Sequence, residues 1–162
     1  MKRVAVIADT HLPRGGRELS RECLQALARA DLILHAGDVT GAEVLDRLRR
    51  LAPLEAVQGN MDDLQLRRSL PLQLSVEVER VKIGMVHVPG PADGRAARLV
   101  AAFPGCDAIV YGHTHLPELT RHGDTWVVNP GSPTERRRAP HRSLVVLEID
   151  AHTLRPELVV LP

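Results

Sequence analysis

Aromatic side chains are nearly missing from this chain, which has one Trp, one Tyr and one Phe in 162 residues. Its core must therefore be built from Leu, Val, Ile and Ala. Lysine is equally scarce: Lys2 and Lys82 are the only two among 21 cationic residues, and the rest are arginine. We read both biases as compositional. The two cysteines, Cys23 and Cys106, sit in apolar patterns and are expected to be small buried hydrophobes, which excludes a disulfide framework. No apolar run approaches membrane-spanning length. The opening run Val4 to Ala8 stops at Asp9, well short of a signal-peptide core, so a cytoplasmic, reducing setting is expected. A net charge of +1 with scattered basic residues excludes a chain-wide basic field, and neither nucleic acid nor a membrane surface is an expected partner.

What is present suits one domain over residues 1–162, a length that buries roughly 70% of the unfolded surface. There are no repeats, low-complexity tracts or long linkers. Short β-branched runs alternate with helical patterns, which predicts an α/β sandwich. Val4 to Ala8, Leu32 to His35 and Leu54 to Val57 read as strands. Between them lie a helix with Leu19, Cys23 and Leu27 on one face and another with Val44, Leu45, Leu48 and Leu51 inward. Thr40 with Glu43 reads as a capping box for that second helix, and Pro53 stops it. The second half pairs Leu72 to Val78 with Val81 to Val88 and continues through a helix over Asp93 to Ala102. It ends in the runs 108–111, 118–121, 125–128, 143–149 and 154–160, all assigned to a second, more antiparallel sheet.

The polar residues of interest come directly after strands, where open α/β sheets place their ligand sites. They are Asp9 and His11, Gly37-Asp38, Gly59-Asn60-Met61-Asp62, His87, and Gly112-His113-Thr114-His115. Singly, an Asp after a strand is more often a turn or cap than a ligand, and a lone His is as weak. The Asp-x-His and His-x-His pairs are stronger, because side chains two residues apart share a face when the chain is locally extended. Two such pairs, joined by Gly-Asp and Gly-Asn-x-Asp, point to a metal site. A mixed N/O donor set without Cys suits Mn, Fe, Zn or Ni.

In this order the motifs resemble those of the calcineurin-like metallophosphoesterase superfamily, in particular its small single-domain phosphodiesterases, which are similar to the retromer scaffold subunit. The resemblance covers nearly the whole chain and includes Asn129-Pro130-Gly131-Ser132. It implies a two-sheet αββα sandwich with a metal site at the carboxyl ends of the strands. Asp9, His11, Asp38 and His115 would hold one divalent cation, and Asp38, Asn60, His87 and His113 the other, with Asp38 bridging through its two oxygens; Mn is the first choice. The implied reaction is in-line attack on a small phosphodiester by a hydroxide shared between the cations. Asp38, Asn60 and Asp62 would form the catalytic group, with the neutral Asn60 amide completing coordination without cancelling positive charge. A homodimer or homotetramer is also implied. The alternative is a non-catalytic protein-binding scaffold of the retromer-subunit type.

Two positions depart from the family pattern. Met61 stands where many members carry a proton-donating His, and Val88, not Gly, follows His87. His35 reads equally as a residue orienting a ligand and as a core histidine. Arg14, Arg17 and Arg136-Arg137-Arg138 read first as solvated loop residues, while Asn129 and Ser132 line the site or shape a turn.

Overall fold

The computed structural model describes all 162 residues. One sheet has the order β10-β9-β1-β2-β3, made of Thr153–Leu161, Arg142–Asp150, Lys2–Ile7, Leu32–His35 and Leu54–Ala56. The other has the order β4-β5-β6-β8-β7, made of Gln73–Val78, Val81–Val86, Ala108–Val110, Thr125–Asn129 and Glu118–His122. Helices α1 (Arg21–Ala28), α2 (Ala42–Arg49), α3 (Leu64–Ser69) and α4 (Arg95–Ala102) complete the fold.

Strand periodicity creates the layers. In β1, Ala5 and Ile7 turn outward, where they join Leu27 of α1 and Val44, Leu45 and Leu48 of α2 in one core. Val4 and Val6 turn the other way and meet Val81, Ile83, Met85, Val110 and Val128 of the opposite sheet. A third, smaller core lies beyond that sheet, where Leu99 and Phe103 of α4 cover Ile109 and Val127. The result is the expected αββα sandwich. No helix is long and apolar enough to cross a membrane.

The assignment of the last two strands to the second sheet is corrected. β9 pairs antiparallel with β1, with Val4 opposite Leu147 and Ala5 opposite Val146, so the β9-β10 hairpin extends the first sheet. Paired there, β9 is buried on both faces: Leu144 and Val146 join the helix-side core while Val145, Leu147 and Ile149 join the inter-sheet core. The capping box is also corrected. Gly41 is the residue preceding α2, and no side chain caps that helix. Thr40 instead gives its hydroxyl to the Leu12 carbonyl and its N–H to Asp62 Oδ1, so it ties loops together. Helix α3 has no counterpart in the sequence reading; Asp63 caps it by accepting the Leu66 N–H at 2.8 Å.

Candidate metal centre

All seven predicted ligands leave strand ends and converge. Asp9 and His11 follow β1, Asp38 follows β2, Asn60 follows β3, His87 follows β5, and His113 and His115 follow β6. Asp9, His11, Asp38, His87 and His115 are buried. Asp9 Oδ1 lies 3.5 Å from His115 Nε2 and 3.9 Å from both His11 Nε2 and His87 Nε2. Asp38 Oδ2 lies 3.4 Å from His11 Nε2 and 3.3 Å from His87 Nε2. On the far side, His87 Nε2 and His113 Nδ1 each stand 3.0 Å from Asn60 Oδ1.

The pairs do not converge by local extension, contrary to the sequence argument. Asp9, His11, Asp38, His113 and His115 all have left-handed backbones, with φ of 55°, 47°, 57°, 71° and 61°. Asp and His tolerate this region better than most residues, and each such position still costs of order 1–3 kcal/mol. Surrounding contacts over-determine the turns. Asp9 Oδ2 accepts the His113 N–H at 2.9 Å, Ser132 Oγ donates to the Asp9 carbonyl at 2.8 Å, and Thr134 Oγ1 donates to the Thr10 carbonyl at 2.8 Å. Glycine permits the closest approaches: at Gly37, φ is 92° and a Cβ would fall 2.6 Å from the His87 ring.

The two Asp38 oxygens have different surroundings. Asp38 Oδ1 accepts the Met61 N–H at 2.8 Å, which leaves Oδ2 alone facing His11 and His87. Met61 thus contributes its backbone while its side chain is exposed. Asp62 has partners that its sequence position did not reveal. Its carboxylate accepts N–H groups from Gly59 at 2.6 Å and Thr40 at 2.7 Å, which joins the loops after β2 and β3 and makes it a positioning residue.

The imidazoles are oriented from behind. His87 Nδ1 faces the Ala36 carbonyl at 2.6 Å, so that nitrogen carries the proton and Nε2 is presented to the site. His35 is a fully buried support: Nδ1 accepts the Gly37 N–H at 3.2 Å, and Nε2 donates to Thr10 Oγ1 at 3.0 Å. Glu135 was missed, having no motif around it. Its carboxylate lies 3.8 Å from His115 Nδ1, and it pairs with Arg17 at 3.1 Å and Arg137 at 3.5 Å. Arg17 and Arg137 are therefore ion-paired residues beside the site, not free loop cations. Asn129 shapes its turn: its amide nitrogen reaches Thr114 Oγ1 at 2.9 Å, and its oxygen accepts the Gly131 N–H at 2.9 Å.

Burial raises the Asp9 carboxyl to about 7, a rise that the positive field of His87 opposes and Asp38 reinforces. Asp38 is also buried, but its hydrogen bond to His87, the charges of His87 and His11 and the Met61 N–H bring it below the usual carboxylate range. Burial pulls His87 down, and Asp38, Asp9 and the Ala36 carbonyl together outweigh this and raise it. Burial lowers His11 and His113, and takes His115 to about 4 with help from the Arg137 charge.

Asp9 Oδ1 and His11 Nε2 are buried and have no hydrogen-bond partner. Orphaned acceptors at one point are costly unless a cation meets them. Two overlapping triads have ligand atoms spaced for an ion, Asp9-His11-His115 and Asp9-Asp38-His87. The donor set therefore fits divalent metal.

Residues 1–152 match the family model for the calcineurin-like phosphoesterase superfamily domain. A probable metallophosphoesterase of Methanothermobacter thermautotrophicus is 37% identical over 158 residues, covering 96% of this chain and 91% of that protein. A second, from Methanocaldococcus jannaschii, is 39% identical over 150 residues, covering 91% of this chain and 76% of that one. Among solved structures, wild-type Vps29 of Entamoeba histolytica complexed with zinc is 26% identical, with a TM-score of 0.78 and 98% of each chain covered. The chain belongs to the calcineurin-like phosphoesterase superfamily.

Proposed function

We propose that the protein is a metal-dependent phosphodiesterase holding two divalent cations, with Mn the first choice, and that it works in the cytoplasm. Asp9, His11, Asp38 and His115 would hold one cation, and Asp38, Asn60, His87 and His113 the other. The observation that carries this reading is the convergence of seven side chains from five loops on a core of unpartnered buried atoms. When bound, the cations would acidify water and stabilise charge on the phosphoryl oxygens.

The chain's own part is positioning. The Met61 N–H fixes Asp38 so that one oxygen faces both halves of the site. The Ala36 carbonyl fixes the His87 tautomer. Asn60 brings a neutral oxygen beside the His87 and His113 rings, so that side of the centre keeps its positive field for a substrate phosphate. Met61 cannot donate a proton to a leaving group, and we therefore expect diesters with good leaving groups to turn over fastest.

Hydrolysis of a chromogenic phosphodiester by metal-stripped protein, with and without added Mn, tests this beside Asp38→Asn. Turnover that requires metal and is lost in the variant supports the reading; bound metal with no turnover sinks it. The second reading, a protein-binding scaffold, draws on the likeness to Vps29 and on Met61, Val88 and Leu116, exposed apolar residues that each directly follow a candidate ligand.

A further inference from the structure

Beside the metal centre lies a cavity of about 400 Å³, within the range that encloses small ligands. Asn60 and His87 form the wall it shares with the candidate metal ligands, and its remaining walls include Gln58, Arg67, Leu72 and Val88. The Gln58 amide nitrogen donates to the carbonyls of Arg67 at 3.1 Å and Leu70 at 2.8 Å, which pins α3 and the segment after it against the β3 loop. That wall is fixed. Leu72 and Val88 are 70% and 50% exposed, so the cavity offers bare apolar surface beside a polar reaction centre.

Arg67 is the informative residue. Three other arginines near the centre are spoken for: Arg17 and Arg137 pair with Glu135, and Arg95 bonds to Tyr111 Oη at 3.4 Å and to the Gly90 carbonyl at 3.2 Å. Arg67 is exposed, its guanidinium has no ion pair and its side chain makes no hydrogen bond, and it lines the cavity that Asn60 and His87 also line. A planar five-donor fork without a partner is suited to a phosphate or carboxylate.

We propose that this cavity receives one ester arm of the phosphodiester, and that Arg67 binds a second anionic group carried on that arm. The assignment rests on the phosphodiesterase reading above. The arm's body lies on Leu72 and Val88, its distal anion on Arg67, and the diester phosphorus at the metal centre. The preferred substrates are small diesters bearing a further anion, such as a linear dinucleotide with a terminal 5′-phosphate.

Two dinucleotides that differ only in ending in a 5′-phosphate or a 5′-hydroxyl test the proposal with Mn-loaded wild type, Arg67→Ala and Arg67→Lys. The wild type is expected to favour the phosphorylated dinucleotide in kcat/KM. Arg67→Ala is expected to lower that preference about tenfold, through KM, as loss of a charge-assisted hydrogen bond does, with partial recovery in Arg67→Lys. Equal preference in wild type and Arg67→Ala overturns the assignment. If neither dinucleotide is hydrolysed, the chromogenic diester decides the phosphodiesterase reading, and calorimetric binding of the same pair decides the cavity separately. Binding of the phosphorylated dinucleotide that weakens in Arg67→Ala then supports the assignment, and equal binding by both proteins, or none, overturns it. Arg67 has no side-chain partner to lose, so unchanged circular dichroism is the expected control.

Discussion

Gly59 is packed so tightly against Asp38 that a Cβ at Gly59 would run into both the amide nitrogen and Oδ1 of Asp38. Asp38 presents Oδ2 to both His11 and His87, and the Gly59 N–H is at the same time a donor to Asp62. Backbone cannot yield as a flexible side chain can, so Gly59→Ala must push the β2 and β3 loops apart. We expect a loss of about 1–3 kcal/mol in stability, as for other overpacked sites, together with weaker metal binding. Thermal unfolding and metal content after dialysis measure both; full metal occupancy with unchanged stability would contradict the geometry.

Asn60→Asp tests the charge argument. The new carboxylate keeps an oxygen between His87 and His113, so metal should be retained or held more tightly, while the added negative charge repels a substrate phosphate. Turnover is expected to fall tenfold or more at full metal occupancy, the scale of about 1.4 kcal/mol in the barrier. Metal analysis beside steady-state kinetics checks it, and normal turnover with bound metal would refute the role given to the neutral amide.

Metal uptake should release protons. Without metal, Asp9 titrates near 7 and His87 above its ordinary value, so both hold protons at slightly acidic pH. A cation must displace them, and affinity is expected to weaken as pH falls below 7. Calorimetry at pH 6 in buffers of differing ionisation enthalpy reads the protons released. A buffer-independent heat would show that these two groups are already deprotonated.

His35 should govern part of the acid limb of stability in the metal-free protein. Burial lowers its pKa from 6.5 to about 3, with the charge of His87 adding to the effect. A group depressed in the folded state contributes stability that is present above its unfolded pKa and is lost as pH falls toward the folded one. Between pH 6.5 and 3 that loss is about 4 kcal/mol. Asp9 acts with the opposite sign, since its raised pKa costs stability as pH rises toward 7, so the wild-type curve mixes the two. The difference from His35→Asn isolates the histidine: the variant is expected to be less stable at neutral pH and to lose less on acidification. Parallel curves for the two proteins would rule out His35 as the source.

The candidate ligands were legible in the sequence because metal binding needs particular atoms, and the structure brings the Asp, His and Asn side chains of these strand ends together. The layers were legible for a similar reason. Val4 and Val6 alternating with Ala5 and Ile7 state that β1 is covered on both faces, whatever lies there.

Partner choice was not legible. Alternation in β9 reports that both its faces are buried, but not that β1 is its neighbour, since any sheet offers the same backbone groups to an incoming strand. The left-handed turns at Asp9, His11 and Asp38 were hidden too, because none of the three is a glycine; tertiary hydrogen bonds from Ser132, Met61 and Thr134 brace the loops that hold them. Asp62 and Glu135 act through groups distant in the chain, the one through the Thr40 and Gly59 amides and the other through Arg17 and Arg137. The sequence by itself determined which side chains are candidate metal ligands and which strand faces are apolar, since both are properties of single side chains and their local period. Only the tertiary structure decided which oxygen of Asp38 faces the centre, which arginines are left unpaired and where a cavity opens, because those depend on contacts between loops far apart in the chain.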